Sequence, residues 1–336
     1  MGMVEKITHA ARKVIRNGVK KLKKGTKFIV RGRKGGISEF SDYGEDEDCE
    51  SKFEQHEDRV NHEMVHQDIA VNYEMINARS FNRPVFIEMG QEATGAELGL
   101  KKMGNEVLFL YDIDDTLYHR SNGLLEKERM FLKQKYISLN EGATHDMFEK
   151  HMMMSYLYSH MFNEYGGISL EEYWVLLAEF DYLQYVSPDP SLRSFLLSMN
   201  SVRRCCFTNG PRDRAESILT KMGLLDCFEA VICIGKYDTT FCCKPRDVSY
   251  EFVTRVLGVD TPENVHLFDD SESNVAKARE MGWKGWHITG DDHIIDVSLN
   301  ALRAVHTARN SLMDLQSIED LCKLYSSSST HKFDIS

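Results

Sequence analysis

Short apolar runs of strand length recur along the chain from residue 107 onward. Polar or turn-forming residues bound each run, which is typical of strands that are buried on both faces of a sheet. The runs are Val107–Tyr111, Val202–Phe207, Ala230–Ile234, Asn264–Phe268 and Lys284–Ile288. The pattern predicts that these segments are the strands of one buried sheet.

Segments of helical character connect the later strands. They begin near a proline or a polar residue and are followed directly by a glycine, as helices in proteins commonly are. These segments are Pro211–Met222, Pro245–Leu257 and Ser273–Met281, with Gly223, Gly258 and Gly282 after them. The alternation of strand and helix predicts an α/β fold with a Rossmann-like parallel sheet that is covered by helices on both faces.

The first two predicted strands are separated by 90 residues, which interrupts this alternation. The intervening sequence has helical character in four places, at Glu126–Leu139, Asp146–Tyr158, Leu170–Phe180 and Pro190–Met199. Loops of such length without secondary structure are uncommon in compact domains. We therefore predict a helical cap subdomain, residues 119–199, inserted between the first and second core strands.

Charge is distributed unevenly along the chain. The 336 residues have a formal net charge of −11, yet residues 1–36 contain twelve Lys or Arg and only one acidic residue, Glu5. Apolar residues recur there at three- and four-residue spacing, which predicts a basic amphipathic helix. Residues 39–63 reverse the sign, with eleven acidic residues against Lys52 and Arg59, a composition typical of a flexible tether.

These patterns predict a sequence of distinct regions. Residues 1–36 form a basic amphipathic extension and residues 37–104 an acidic, largely flexible linker. The catalytic core comprises residues 105–118 and 200–295, on either side of the cap. Residues 296–336 form a C-terminal helical tail.

Cysteine usage and hydropathy indicate a reducing compartment. The chain has eight cysteines but no CxxC pair, and it lacks a hydrophobic signal sequence or an apolar run long enough to cross a membrane. We expect reduced thiols in a cytoplasmic protein, with the nucleus as a second location. Lys-rich composition argues against reading residues 1–36 as an organelle presequence. This basic extension is a candidate contact surface for an anionic membrane or for RNA, and the sequence indicates no obligate protein partner.

One metal-binding motif lies within the acidic region. His62-Glu63-Met64-Val65-His66 matches the HExxH pattern of zinc peptidases. No further histidine follows at the spacing of a third ligand, and the acidic flank offers no sheet to hold the helix. We therefore do not expect a zinc peptidase.

Polar side chains cluster directly after the predicted strands. Asp112-Ile113-Asp114 follows the first strand, Thr208-Asn209-Gly210 the second and Asp269-Asp270 the fourth, while Lys244-Pro245 precedes a helix. Ligands of open α/β sheets bind beyond the carboxyl ends of the strands, where these residues should meet. Carboxylates brought together there would repel one another, so a divalent cation is expected, and hard oxygen donors favour magnesium over zinc.

In this order, Asp112-x-Asp114-x-Thr116, Thr208, Lys244-Pro245 and Asp269-Asp270 resemble the four motifs of the haloacid dehalogenase superfamily. Further segments resemble its pyrimidine 5′-nucleotidase branch: Ser187–Arg193, Cys206–Gly210, Met222–Phe228 and Tyr165-Gly166-Gly167. The resemblance covers residues 105–295 and implies the fold of that superfamily. The dehalogenase members lack the second aspartate of the first motif, so the presence of Asp114 favours phosphate chemistry.

The resemblance also implies a role for each motif residue. Asp112 would be the nucleophile and Asp114 the general acid and base. Thr208, with the backbone amides of Asn209 and Gly210 opening a helix, would bind phosphate, and Lys244 would neutralise the phosphoryl group. Magnesium would be held by Asp112, the carbonyl of Asp114 and the Asp269–Asp270 pair, with the direct ligand of that pair left open. The cap residues Tyr165, Gly166 and Gly167, together with Tyr156 and Tyr158, are candidates for contact with a substrate base.

These inferences lead to one expected function and two alternatives. We expect a Mg²⁺-dependent phosphomonoesterase that works through an aspartyl-phosphate and hydrolyses nucleoside, in particular pyrimidine, 5′-monophosphates. A phosphatase for another small ester, such as a sugar phosphate or lysophosphatidate, is the alternative within enzymes. A non-catalytic phosphate-binding protein tethered by its basic N-terminus is the alternative of another class.

Overall fold

The computed structural model describes residue 81, residues 83–309 and residue 325. All of these belong to one compact unit. The predicted basic extension, the HExxH match, most of the acidic linker and most of the C-terminal tail lie outside the described residues.

Within the described residues, a single sheet of six parallel strands forms the centre of the fold. The strands follow one another across the sheet in the order β1-β4-β3-β2-β5-β6. Their bounds are β1 (Val85–Glu88), β2 (Val107–Tyr111), β3 (Val202–Pro211), β4 (Ala230–Ile234), β5 (Val265–Asp269) and β6 (Lys284–His287). The predicted α/β fold with a parallel sheet is therefore confirmed.

The edge strand β1 corrects the predicted linker. Its residues pair in parallel with β4, from Val85 opposite Ala230 to Glu88 opposite Cys233. The ordered fold thus begins upstream of residue 105, and the prediction of a linker extending to residue 104 is wrong for this segment. A strand of four residues has too few apolar positions to show a periodic pattern, so the sequence offered little signal for it.

Nine described helices accompany the strands. They are α1 (Leu124–Leu139), α2 (His145–Met154), α3 (Tyr158–Glu164), α4 (Leu170–Leu177), α5 (Pro190–Ser198), α6 (Arg212–Met222), α7 (Asp247–Leu257), α8 (Glu272–Glu280) and α9 (Ile294–Arg309). Alternate residues of β2 belong to two different core clusters: Phe109 shares one with buried residues of α5, α6 and α9, and Leu110 shares the other with buried residues of α7 and α8. Burial on both faces explains why β2 is apolar throughout.

Helices α1–α4 and the short turn Tyr182–Tyr185 form a helical insert between β2 and β3. The helices of this insert have a small hydrophobic core of their own, which includes Leu132, Phe148 and Phe162. Helix α5 instead packs its buried residues Leu192, Phe195 and Leu196 in the main core, so the predicted cap boundary at residue 199 lies one helix too late.

The helix predicted at Asp146–Tyr158 ends at Met154, because the chain is extended at Ser155 and at Leu157, and the next helix begins at Tyr158. Across the described residues, no helix is both long enough and apolar enough to cross a membrane.

Candidate active site

The sheet order brings the sequence motifs to one edge. Strand β2 lies between β3 and β5, so the residues that follow these three strands meet at their carboxyl ends. Asp112 directly follows β2, and its backbone amide donates to the carbonyl of Phe268 on β5 (2.9 Å). Lys244 reaches the same place from the connection between β4 and α7.

Lys244 forms the buried centre of this edge. Its Nζ lies 3.0 Å from Asp112 Oδ1 and 2.6 Å from Asp269 Oδ2, and it donates to the carbonyl oxygen of Phe207 at 2.6 Å. The Lys244 side chain is 1% exposed, so water does not screen these ion pairs. Burial opposes the charge of Lys244, but Asp112 and Asp269 outweigh it and raise the pKa of the ammonium group. Lys244 is therefore a fixed positive charge in the site.

Three carboxylates beside Lys244 are candidates for holding a metal ion. Asp112, Asp269 and Asp270 each place an oxygen within 4.8 Å of the others. Among the described residues, they are the one group of three Asp, Glu, His or Cys side chains whose ligand atoms lie this close together. Burial raises the pKa of Asp112 well above its ordinary value, and it raises the pKa of Asp270 to about 6 with a further contribution from Asp269. A cation at this position would favour the ionised form of these groups.

The two adjacent aspartates differ in how their oxygens are used. Asp269 Oδ1 accepts from the amide of Ser271 and from Asn274 Nδ2, both at 2.9 Å, and its Oδ2 accepts from Lys244. Asp270 Oδ2 accepts from the half-exposed Arg120 at 3.3 Å. Asp270 therefore has more unused acceptor capacity than Asp269.

Asp114 is held by a network that the sequence analysis did not foresee. Its Oδ1 accepts from Tyr118 OH at 2.5 Å and from Arg214 Nη2 at 2.9 Å. Arg214 also pairs with Glu128 of α1, through Nη1 to Oε1 at 2.7 Å and Nη2 to Oε2 at 3.1 Å. The one available signal for Arg214 was a basic residue on the helix after the Thr208 motif, and nothing in the sequence pointed to Glu128.

The Thr208-Asn209-Gly210 segment differs from the expectation in detail. Strand β3 continues to Pro211 and α6 begins at Arg212, so the amides of Asn209 and Gly210 do not open a helix. The Gly210 amide donates to Thr208 Oγ1 (2.9 Å). The Asn209 side chain joins the backbone of Lys244 by two bonds of 2.9 Å, accepting from its amide and donating to its carbonyl. Asn209 therefore positions Lys244.

The motif residues other than Asp269 open onto a cavity of about 580 Å³, which the helical insert lines on its other side. Tyr156, Tyr158, Tyr173 and Trp174 are the aromatic residues that the insert contributes to its wall. Trp174 Nε1 also donates to the carbonyl of Lys236, in the connection after β4 (2.7 Å). The expectation that Tyr156 and Tyr158 face the substrate space is consistent with this wall.

The other predicted cap residues lie elsewhere. In the described structure Tyr165, Gly166 and Gly167 are not part of the cavity wall. The Tyr165 ring stacks on His151 with centroids 4.2 Å apart. A side chain at Gly166 would place its Cβ 2.6 Å from the carbonyl oxygen of Phe162, and Gly167 has φ +65°. These residues build the turn between α3 and α4, and their contact with a substrate stays a prediction.

Two curated proteins are similar to parts of the chain. Phosphate metabolism protein 8 of Saccharomyces cerevisiae is 25% identical over 195 residues, which cover 52% of this chain and 59% of that protein. The (S)-2-haloacid dehalogenase of Xanthobacter autotrophicus is 31% identical over 98 residues, covering 29% of this chain and 37% of that protein. The similarity thus extends over less than two thirds of the length of either relative.

Two solved structures are similar to the chain at low sequence identity. The L-2-haloacid dehalogenase of Xanthobacter autotrophicus is 20% identical with a TM-score of 0.38, covering 64% of this chain and 88% of that chain. A haloacid dehalogenase-like hydrolase of Streptococcus pneumoniae is 13% identical with a TM-score of 0.40, covering 60% of this chain and 100% of that chain.

The model of one protein family spans the residues that build the site. The model described as haloacid dehalogenase-like hydrolase matches residues 107–282, more than half of the chain, from the start of β2 to just beyond the end of α8. The matched segment includes the buried Asp112–Lys244–Asp269 cluster and Asp114. The chain belongs to the haloacid dehalogenase-like hydrolase family.

Proposed function

We propose that this protein is a Mg²⁺-dependent phosphomonoesterase that works through an aspartyl-phosphate, with nucleoside 5′-monophosphates, in particular pyrimidine nucleotides, as substrates. One observation carries the proposal: a second carboxylate, Asp114, is fixed at the wall of the cavity that also contains the buried Asp112–Lys244 pair. Phosphate esters need a proton donor for the leaving alkoxide, and Asp114 can supply one.

Two displacements at phosphorus account for the hydrolysis. An oxygen of Asp112 attacks phosphorus and the ester bond breaks, while Asp114 gives its proton to the leaving oxygen. Asp114 then takes a proton from water, whose oxygen attacks the phosphorus of the aspartyl-phosphate. The bond between phosphorus and Asp112 breaks, inorganic phosphate leaves, and both aspartates return to their starting forms. Lys244 holds a positive charge beside the attacking oxygen throughout.

The donor set of the site fits magnesium. Asp112 and Asp270 would be the side-chain ligands, with the carbonyl of Asp114 as a third. The oxygens of Asp269 already accept hydrogen bonds from Lys244, Ser271 and Asn274, so Asp269 would position the site rather than bind the ion directly. These are hard oxygen donors, which suit Mg²⁺. When bound, the ion would offset negative charge on the phosphoryl oxygens.

The cavity supports a nucleotide as the substrate. Its volume of about 580 Å³ lies within the range of small-molecule sites. Tyr156, Tyr158 and Trp174 provide flat faces on the insert side, and such faces bind nucleobases by stacking. The similarity to a yeast protein named for phosphate metabolism agrees with phosphate chemistry.

Phosphate release from a substrate panel tests the proposal. The panel contains nucleoside 5′-monophosphates, sugar phosphates and lysophosphatidate, each with Mg²⁺ and with EDTA. We expect Mg²⁺-dependent release that is fastest for pyrimidine nucleotides and absent in Asp112→Asn. Asp260→Asn, at an exposed carboxylate paired with Lys102, is the matched control and should retain activity.

The outcomes separate the parts of the proposal. A preference for another ester would overturn the nucleotide assignment, and release by Asp112→Asn at the wild-type rate would overturn the mechanism. Binding of phosphate esters without any turnover would favour the non-catalytic alternative.

A further inference from the structure

A buried arginine joins the helical insert to the proposed acid. Arg214 lies on α6 beside the sheet, and its side chain is 8% exposed. Its guanidinium pairs with Asp114 on one side and with Glu128 on the other. Glu128 belongs to α1, and the ring of Tyr182, also from the insert, lies 5.0 Å from Arg214 Cζ. The insert therefore contacts Arg214 at two places.

The hydrogen bonds to Asp114 distinguish its two carboxylate oxygens. Both donors, Tyr118 OH and Arg214 Nη2, end on Oδ1. In the described structure no hydrogen bond of Asp114 ends on Oδ2. With Oδ1 occupied by two donors, a proton carried by Asp114 has its place on Oδ2. Oδ2 is thus the oxygen left to face a leaving group.

Glu128 fixes the guanidinium that makes this possible. It accepts from two nitrogens of Arg214, the bidentate geometry that arginine forms with carboxylates. Glu128 is also buried, so the pair is not screened by water. Lysine could not reproduce this arrangement, because an ammonium group is a single point charge without a planar fork.

We propose that Arg214 is a positioning residue for Asp114, held in place by Glu128 of the insert, and that it sets which oxygen of the acid faces the leaving group. The inference rests on the proposed phosphomonoesterase activity. It makes the orientation of the acid depend on the insert. Misplacement of a catalytic group by about 1 Å can cost about 100-fold in rate, so loss of this contact should be visible in kinetics.

Leaving-group dependence distinguishes positioning of the acid from a general structural role. A nucleoside 5′-monophosphate releases an alkoxide that must be protonated, whereas p-nitrophenyl phosphate releases a stable phenolate that needs little help. The measured quantity is kcat/KM for each substrate, since it reports on all steps through departure of the leaving group. Breakdown of the aspartyl-phosphate, which is common to both substrates, then does not obscure the comparison.

We expect Arg214→Gln to lower kcat/KM for the nucleotide about 100-fold and for p-nitrophenyl phosphate less than about 5-fold. Arg214→Lys should show an intermediate selective loss. Glu128→Gln keeps Arg214 but weakens its anchor, so it should show the same selectivity with a loss of about 10-fold. Arg212→Gln is the matched control, because Arg212 is exposed on the same helix and lies outside the catalytic cavity.

Thermal melting of each variant checks that it is folded. If Arg214→Gln does not fold, Arg214→Lys and Glu128→Gln decide the question. Equal losses for the two substrates, or nucleotide activity within about 3-fold of wild type in these variants, would overturn the inference while leaving the proposed function intact. If the wild-type protein hydrolyses neither ester, the proposed function fails and the inference falls with it.

Discussion

Replacement of Lys244 by methionine tests the electrostatic design of the site. Lys244 Nζ is the cation that lies 3.0 Å from Asp112 and 2.6 Å from Asp269 in a buried position. Lys244→Met keeps much of the apolar stem but leaves the two carboxylates facing each other. Removing one partner from a buried ion pair typically costs about 3–5 kcal/mol of folding free energy, because an uncompensated charge stays behind.

The expected change is large enough for a melting experiment. For a domain of this size, 1 kcal/mol shifts Tm by about 2–4 °C, so we expect Lys244→Met to melt about 10 °C below wild type in EDTA. Mg²⁺ should raise the Tm of the variant more than that of the wild type, because the ion supplies a cation that the carboxylates have lost. Phosphate release should fall by about 100-fold or more, since a fixed charge beside the nucleophile is missing.

Lys277 offers a matched control for this substitution. It also pairs with two carboxylates, Asp247 and Glu280, but at the protein surface. Lys277→Met should therefore keep its Tm within about 2 °C of wild type and remain active. A Tm for Lys244→Met within about 3 °C of wild type in EDTA would refute the reasoning, because the buried carboxylates would then not depend on Lys244.

Three further substitutions test separate parts of the site. Asp270→Asn should raise the Mg²⁺ concentration for half-maximal activity at least about 10-fold with little loss of Tm, because Asp270 has unused acceptor capacity for an ion. Asn209→Ala should lower stability by about 1–3 kcal/mol, measured by urea unfolding, because it removes both side-chain bonds to the Lys244 backbone. Trp174→Ala should raise KM for a nucleotide about 10-fold and leave KM for a small phosphate ester nearly unchanged, because the base loses a stacking surface.

Each of these has an outcome that would contradict it. Unchanged Mg²⁺ dependence in Asp270→Asn would remove that residue from the metal site. A urea midpoint equal to that of wild type in Asn209→Ala would show that the two hydrogen bonds from the Asn209 side chain to the Lys244 backbone add no stability. Equal changes in KM for both esters in Trp174→Ala would show that the base does not stack on Trp174. Trp286 lies outside the cavity wall, so Trp286→Ala is the control for loss of an aromatic side chain.

Elements that have a clear local pattern of apolar residues could be predicted from the sequence. Strand Val107–Tyr111 is apolar at every position because both of its faces are covered, and its predicted bounds match the structure. Strand Val85–Glu88 could not be found in this way, because it is short and its pairing with β4 joins segments about 145 residues apart. Sheet-edge pairing of this kind is decided by tertiary contact rather than by local pattern.

The same difference between local pattern and distant contact applies to the site. Asp112, Asp114, Lys244 and the Asp269–Asp270 pair could be named in advance, because each follows or precedes a recognisable element. Side-chain partners across the fold could not be named: Arg214 and Glu128 are 86 residues apart and meet only when the insert lies against the sheet.

The structural roles of several motif residues could not be predicted from the sequence. Tyr165, Gly166 and Gly167 were candidates for contact with a substrate base, and the structure places them in a turn where Gly166 lies close to Phe162. Asn209 was expected to offer its backbone amide to phosphate, and the sequence did not indicate the further role of its side chain, which bonds to the Lys244 backbone.

Trapping the covalent intermediate tests the central claim most directly. Borohydride reduces an acyl phosphate to an alcohol, so acid-quenched enzyme taken during turnover of a nucleoside 5′-monophosphate with Mg²⁺ should contain homoserine at position 112. Peptide mapping by mass spectrometry should find this change at Asp112 and not in enzyme quenched without substrate. An enzyme that releases phosphate under these conditions but carries the modification elsewhere, or nowhere, would contradict the assignment of Asp112 as the nucleophile.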